Sequence, residues 1–248
     1  MSLKLFVKGL LYPGVNLGVR SRRSIARHFL REPNIRTLDV GSGNGFFAAL
    51  AARRGGAGNS VLSFSFNPDQ IKNCQEFQPH MGVPAGKLEF RVMTALEVDQ
   101  LTEQFDQILL LEVIEHLDDD LAVVTKLARH LKPGGIMHVS TPDCWLGYWV
   151  GTLDRKAEGG HVRVGYTAER LERLLTAAGL DIAYQTRLGG LGMYLTPLQH
   201  LLARLFGGGL AVAFALIYPW YLLLEWMPLT PSWRMFHYAI ARKRVCDV

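Results

Sequence analysis

Hydrophobic and polar positions along this chain change period repeatedly, and each change marks an element. From residue 36 onward strands and helices alternate, with strands predicted near 36–41, 59–65, 88–92, 105–111 and 135–141. Helices fall between them, near 44–54, 68–79 and 118–131. The run Lys132-Pro133-Gly134-Gly135 stops the third helix and turns the chain into the fifth strand. Thr167 can cap a further helix, whose Leu171, Leu174, Leu175 and Ala178 share one face before Gly179 ends it. Residues 180–187 then read as a sixth strand, and 236–244 (FHYAIARKR) alternate as a seventh. This order argues for an α/β fold with a parallel sheet and helices on both faces.

The connection between the last two strands breaks the rhythm. Some 48 residues, 188–235, stand where a hairpin loop of about 2–5 is usual. They include a charge-free run from Leu205 to Leu224, which meets the roughly 20 residues a membrane-spanning helix needs. Three glycines open that run and Pro219 cuts it. One or two helices lying in a membrane interface, or lidding an apolar substrate pocket, fit better than a full span. A buried packing pair or homodimer interface is the alternative use of the same surface. A second apolar piece, Cys144–Gly151, carries Trp145, Tyr148 and Trp149, which suit an interface, a hydrophobic acceptor or ordinary core.

A chain of 248 residues suits one α/β domain with an insertion. The net charge of +5 is unevenly placed: residues 1–36 carry Lys4, Lys8, Arg20, Arg22, Arg23, Arg27, Arg31 and Arg36 against Glu32, a net +7, which leaves −2 elsewhere. The expected organisation is therefore a basic helical arm, 1–35, and a domain, 36–248, with its apolar insertion at 188–235. Such an arm attracts anionic lipid or a phosphate-bearing substrate. A solvated helix, with Ile25, Phe29 and Leu30 as its core face, explains the same residues. Cys74, Cys144 and Cys246 are isolated, which fits a reduced, cytoplasmic protein without structural zinc, peripheral to a membrane if the arm binds lipid. The opening residues lack a long apolar core and a clear cleavage site, so they are not read as a signal peptide.

Leu38-Asp39-Val40-Gly41-Ser42-Gly43-Asn44-Gly45 runs from a buried strand through a glycine loop into the alanine-rich FFAALAARR. A loop between a strand's carboxyl end and a helix's amino end is the usual ligand crevice of open α/β sheets. A dinucleotide loop wants G-x-G-x-x-G, whereas the spacing here is G-x-G-x-G, with Asp39 two residues before the first glycine. This pattern resembles motif I of the class I S-adenosylmethionine methyltransferases. DQILLLEVIEHL resembles their fourth-strand motif and LKPGGIMHVSTP their fifth-strand motif, so the resemblance covers residues 36–187. It implies a seven-stranded, mostly parallel Rossmann-like sheet, here with an apolar helical insertion before the last strand. It also implies an S-adenosylmethionine site lined by Asp39, Gly41, Gly43 and Gly45, with Leu111 at the end of the fourth strand. Two positions depart from the family pattern. Ser65, with Phe66 and Asn67 behind it, stands where an acidic residue commonly holds the ribose, and Thr94, followed by Ala95, where an aspartate commonly meets the adenine. A neutral hydroxyl gives up a charge-assisted hydrogen bond, so ribose affinity should be lower.

Chemistry beyond the cofactor is concentrated in Glu112-Val113-Ile114-Glu115-His116. If these residues open a helical turn, positions i, i+3 and i+4 share one face, and Glu112, Glu115 and His116 converge as two hard oxygens and an imidazole. His161, after the fifth strand, could bring a fourth ligand. The arrangement resembles the ubiquinone-biosynthesis O-methyltransferases, and also the small-RNA 2′-O-methyltransferases, which bind Mg²⁺ through E-x-x-E-H. That resemblance implies Mg²⁺ on Glu112, Glu115, His116 and His161, lowering the pKa of an acceptor hydroxyl. A metal-free reading has the first glutamate capping helix N–H groups and His116, with His161 and Glu115 nearby, serving as general base. His28, His80, His130, His138, His200 and His237 show no partner spacing and read as ordinary.

The chain is therefore read as an S-adenosylmethionine-dependent methyltransferase acting on an oxygen of a hydrophobic, lipid-like small molecule: a prenylated phenol, a glycolipid sugar or a polyketide. C-methylation, as in the cyclopropane synthases, and RNA 2′-O-methylation are the rivals. Nothing resembles a separate RNA module and basic residues are not interleaved with stacking aromatics, so nucleic acid is not expected as a partner.

Overall fold

The computed structural model describes residues 17–144, 162–205, 209–225, 227 and 235–244. Seven strands form one sheet: β1 (Arg36–Val40), β2 (Ser60–Ser65), β3 (Leu88–Val92), β4 (Phe105–Leu111), β5 (Leu131–Pro142), β6 (Leu180–Leu188) and β7 (Phe236–Lys243). Their order is β3-β2-β1-β4-β5-β7-β6, and β1 to β5 pair in parallel. After α1 (Leu17–Arg22), α2 (Phe46–Arg54) links β1 to β2, α3 (Pro68–Phe77) links β2 to β3, and α4 (Asp120–Arg129) links β4 to β5. Helix α5 (Ala168–Ala177) precedes β6, as the Leu171, Leu174, Leu175 periodicity predicts, and Thr167 Oγ1 accepts from the Arg170 N–H at its cap. The expected α/β class and seven strands are what form. The chain starts in the middle of the sheet, winds out to β3 and returns past β1 to β4. The β1/β4 junction is thus the switch point outside whose strand ends ligands bind.

The fifth strand starts earlier than predicted, at Leu131. The Lys132-Pro133-Gly134-Gly135 turn is absorbed as a register shift between Phe105↔Leu131 and Gln107↔Ile136. Gly134 takes φ +74 there, and a Cβ on Gly135 would meet the Lys132 carbonyl at 2.9 Å.

Side-chain alternation separates the two faces of the sheet. Leu38, Phe64, Ile108, Leu110 and Val139 join α4 and α5 in one apolar core. The opposite positions of the same strands hold buried Thr37, Asp39, Ser63, Gln107, His138 and Ser140. Gln107 Nε2 donates to Thr37 Oγ1 at 3.0 Å, while Gln107 Oε1 accepts from the Leu30 N–H, also at 3.0 Å. Because that oxygen is an acceptor, His138 Nε2, 3.0 Å away, carries the proton, and His138 Nδ1 accepts from the Tyr238 hydroxyl at 2.7 Å. Burial holds His138 down at about 3, so it stays neutral around neutrality. The group favours folding fully above the ordinary histidine pKa, and that contribution is lost as pH falls from about 6.5 toward 3.

The chain divides into two compact units. One comprises Ala26–Thr186 and the chain from His237 onward, and holds the glycine loop and the E-x-x-E-H turn. The other combines the chain up to Ile25 with Arg187–Phe236, so the expected arm is divided at Ile25: its first, basic segment shares one body with the apolar insertion, and Arg27, Arg31 and Arg36 belong to the first unit. Within it lie α6 (Thr196–Leu205) and α7 (Gly209–Glu225). The Arg20 guanidinium lies 4.9 Å from the ring centroids of both Phe214 and Tyr218 and donates to the Tyr218 hydroxyl at 3.1 Å. The Ser21 and Tyr221 hydroxyls are 2.9 Å apart.

The expected break at Pro219 does not occur, because α7 runs through it. Proline forfeits the bond to the Ala215 carbonyl, but Ala215 is exposed, so water can take that oxygen, and buried Phe214, Ile217 and Tyr221 anchor the helix on its other side. The 17 residues of α7 span about 25 Å, short of a bilayer core of about 30 Å. Among the described residues no helix is long and apolar enough to cross a membrane.

Candidate active site

Strand β1 ends in the glycine loop at the carboxyl edge of the sheet. Asp39 is 3% exposed, and Ser63 on β2 lies opposite it in register. Ser63 Oγ donates to Asp39 Oδ2 at 2.7 Å and lies 2.8 Å from Ser42 Oγ, so with its own proton spent it accepts that of Ser42. Burial raises the Asp39 carboxyl to about 7, and the Ser63 bond offsets part of that rise.

The first two loop amides, of Gly41 and Ser42, both donate to the Phe64 carbonyl at 2.9 Å, which pins the loop to β2. Gly41 has φ +86, and a Cβ there would lie 2.7 Å from Val113 Cγ2. Gly43, at φ +51, has no heavy atom within 4 Å of the same position, so here the backbone is open to a ligand. Gly45 caps α2 in a left-handed conformation without a side-chain cap, and Asn44 Oδ1 accepts from the Phe46 N–H at 3.2 Å.

Ser65 ends β2, as expected. Its Oγ donates to Gln70 Oε1 at 2.8 Å and accepts from the Asn67 N–H at 3.3 Å, while Asn67 caps α3. Phe66 behind it is 72% exposed. Thr94 caps the 3₁₀ helix Ala95–Gln100, and its hydroxyl and amide both donate to Glu97 Oε2 at 2.9 and 2.8 Å. Val92 and Leu96 are exposed nearby on the chain, so Phe66, Val92 and Leu96 follow or end adjacent strands as apolar side chains at the same edge. Leu111, buried, ends β4.

The turn after β4 is not the helical face that the spacing predicts. Glu112 sits at φ +58, and Val113 at φ −128 caps a 3₁₀ turn over Ile114–His116. Without continuous α-helical dihedrals, positions i, i+3 and i+4 do not share a face. The left-handed backbone of Glu112, which costs about 1–3 kcal/mol for a side chain of this kind, is imposed by Ser140 on β5. Its carbonyl accepts from the Glu112 N–H at 2.9 Å and its Oγ donates to Glu112 Oε1 at 2.8 Å. Glu115 is 1% exposed, with Thr141 Oγ1 at 3.5 Å from its Oε2, and His116 is half-buried. Among the described residues no group of three His, Cys, Asp or Glu side chains could hold a metal ion. Glu112, Glu115 and His116 form no such group by themselves. His161 lies outside the described residues.

The spacing gave no warning of what holds this turn. Val162 and Arg163 donate their N–H groups to the Glu115 carbonyl at 3.1 and 3.4 Å. Arg163 Nη1 lies 2.6 Å from Asp120 Oδ2, 2.8 Å from the Tyr166 oxygen and 3.2 Å from the Ile114 carbonyl, and its Nη2 donates to the Asp118 carbonyl at 2.9 Å. Tyr166, fully buried, donates to the same Asp120 oxygen, and burial holds its phenol above the usual value. Residues 162–166 thus clamp the E-x-x-E-H turn from outside.

The family model described as "Methyltransferase domain" matches residues 18–185, the stretch that builds this loop, turn and clamp. The chain belongs to the class I S-adenosylmethionine-dependent methyltransferases. A curated relative named "Ubiquinone biosynthesis O-methyltransferase", from Sinorhizobium medicae, is 29% identical to this methyltransferase over 194 residues, 72% of this chain and 74% of the relative. One of the same name from Dinoroseobacter shibae is 33% identical over 174 residues, 64% of this chain and 68% of the relative. In fold, the methyltransferase matches a cyclopropane synthase from Mycobacterium tuberculosis with a TM-score of 0.61 at 14% identity, covering 91% of this chain and 84% of that one.

The state of Asp39 gives a pH prediction. Its carboxyl is raised from 3.8 to about 7, so the folded protein holds this proton more tightly than the unfolded chain does. The contribution of this group to the stability of the free methyltransferase therefore falls between about pH 4 and pH 7 and levels off above. S-adenosylmethionine carries sulfonium and ammonium cations, which favour the ionised carboxylate if Asp39 lines its site as the sequence pattern predicts. Its affinity is expected to rise about tenfold between about pH 6 and pH 8, as the ionised fraction does. Calorimetry at both pH values checks this, and Asp39→Asn should flatten the dependence.

Proposed function

We propose that this methyltransferase transfers the methyl group of S-adenosylmethionine to an oxygen of a hydrophobic, lipid-like small molecule, with His116 as general base. The carrying observation is the E-x-x-E-H turn. It presents a half-buried imidazole at the carboxyl end of β4, on a backbone strained at Glu112 and clamped from two sides. Strain stored where a ligand crevice lies is a mark of function. The two relatives named as O-methyltransferases support oxygen as the acceptor atom.

Bound S-adenosylmethionine supplies an electrophilic methyl on its sulfonium. Asp39, Gly41, Gly43 and Gly45 would hold it by charge and close main-chain approach, and Ser65 with Gln70 would take the ribose hydroxyls. Phe66, Thr94, Ala95 and Leu111 would border the remaining parts. His116 would accept the proton of the acceptor hydroxyl as the oxygen attacks, and Glu115, buried in the same turn, would help to position it. Alignment of nucleophile, methyl and sulfur supplies most of the acceleration. No step passes through a metal.

The test uses wild type and His116→Ala, with S-adenosylmethionine and hydrophobic phenols as acceptors. His116→Ala is expected to lower kcat by about 10²–10⁴-fold while leaving cofactor affinity within about twofold. EDTA should leave the rate unchanged. A product methylated on carbon, or an unaltered kcat in the variant, would sink the reading.

A further inference from the structure

We infer that the unit formed by the basic segment and the insertion is a docking surface for an anionic lipid bilayer, with the outer faces of α6 and α7 lying in the interface. Four observations carry this.

The first is an apolar surface left exposed among the described residues. On α7, Phe214, Ile217 and Tyr221 are buried, while Leu216, Trp220 and Leu223, spaced i, i+4 and i+7, are 54%, 62% and 61% exposed. Met227 beyond the helix end is exposed too, and on α6 Leu198 and Leu201 are exposed in the same way. Isolated exposed leucines need no explanation, but a helix pair with an apolar outer face does.

The second is charge. The two segments of this unit, residues 1–25 and 187–236, carry eight Lys and Arg residues against one carboxylate, Glu225, a net +7 that leaves −2 for the rest of the chain. The third is where that carboxylate sits. Glu225 is drawn inward: its Oε2 is buried, a Cβ on Gly190 would meet it at 2.7 Å, and burial raises its pKa. The unit therefore pairs a net positive charge, with Arg23 exposed and Arg187 partly so among the described residues, with exposed apolar side chains, and its one carboxylate is turned away from an anionic headgroup.

The fourth is length. An α7 of about 25 Å with Pro219 inside it lies along a bilayer more readily than across one. A second copy of this chain is the poorer occupant, since docking through the same face would bring two units of +7 together. The surface does not depend on which acceptor is methylated, so its failure would leave the methyl-transfer reading standing.

The full chain should be tested by flotation with vesicles of phosphatidylcholine alone and of phosphatidylcholine with phosphatidylglycerol. Binding is expected only to the anionic vesicles, and should weaken about tenfold or more when salt rises from about 0.1 to about 0.5 M. Trp220→Ser/Leu223→Ser, and separately Leu198→Ser/Leu201→Ser, should each weaken it about tenfold. Unfolding temperature and S-adenosylmethionine affinity should stay at the wild-type level in both, which excludes a folding defect. Equal binding to both vesicle types, absence of binding, or binding indifferent to both variants would overturn the proposal. So would a wild-type dimer that these variants dissociate without any vesicle binding.

Discussion

Gly41→Ala is expected to abolish measurable S-adenosylmethionine binding and to lower stability by about 2–4 kcal/mol. Part of the loss is backbone strain, since φ +86 suits no side chain. The larger part is a collision. The new Cβ would stand 2.7 Å from Val113 Cγ2, and Val113 packs against the apolar core, so relieving the clash disturbs that packing. Val113 also lies between Glu112 and Ile114, so pushing it disturbs the E-x-x-E-H turn as well as the glycine loop. Gly43→Ala is the informative contrast. Nothing lies within 4 Å of its new methyl in the free protein, so its stability cost stays near about 1 kcal/mol. Its cofactor affinity should fall far more, because the methyl occupies the ligand's approach. Thermal unfolding and calorimetry on both variants decide this, and wild-type affinity in Gly41→Ala would refute the placement of the cofactor.

Arg163→Met should be nearly as damaging, but in a different observable. Arg163 and Asp120 form a largely buried pair at 2.6 Å, with side chains 15% and 17% exposed. Removing one partner of such a pair costs about 3–5 kcal/mol. For a chain of this size that corresponds to a fall in Tm of about 10 °C. The Ile114 and Asp118 carbonyls lose their guanidinium donors together, so the turn bearing His116 loosens. A misplacement of about 1 Å costs on the order of 10²-fold in rate, and kcat is the expected casualty. Cofactor affinity should change little, since none of these bonds reaches the glycine loop. Tyr166→Phe keeps the ion pair and should lower kcat less, by about tenfold. If Arg163→Met loses cofactor affinity and kcat in proportion, the clamp acts on the whole fold and not on the turn.

The glycine loop was legible in the residues because local rules govern it. Spaced glycines two residues after an aspartate, at the end of an apolar run and before an alanine-rich helix, have few other structural meanings, and Gly41 does take φ +86. The E-x-x-E-H motif was equally visible, but its geometry was not. Helical spacing placed Glu112, Glu115 and His116 on one face, whereas Ser140, 28 residues away, turns Glu112 left-handed. No periodicity carries a contact of that range. Ser63 was missed for a similar reason: it reads as one small residue of a buried strand, and only register with β1 sets it against Asp39. The Thr37, Gln107, His138 and Tyr238 network is likewise made by strand pairing, and single residues inside apolar runs do not announce it.

By itself the amino-acid sequence determined the fold class and the methyl donor. Each depends on backbone preferences and patterns that act over a few residues. The tertiary structure decided how those pieces are held. Ser140 and Arg163 shape the turn, Ser63 ties the Asp39 carboxyl, and the basic segment and the apolar insertion, more than 160 residues apart in the chain, become one body. Contacts between distant segments form only when the whole chain packs, so the charge of one segment and the apolar face of the other acquire a common use only in the folded protein.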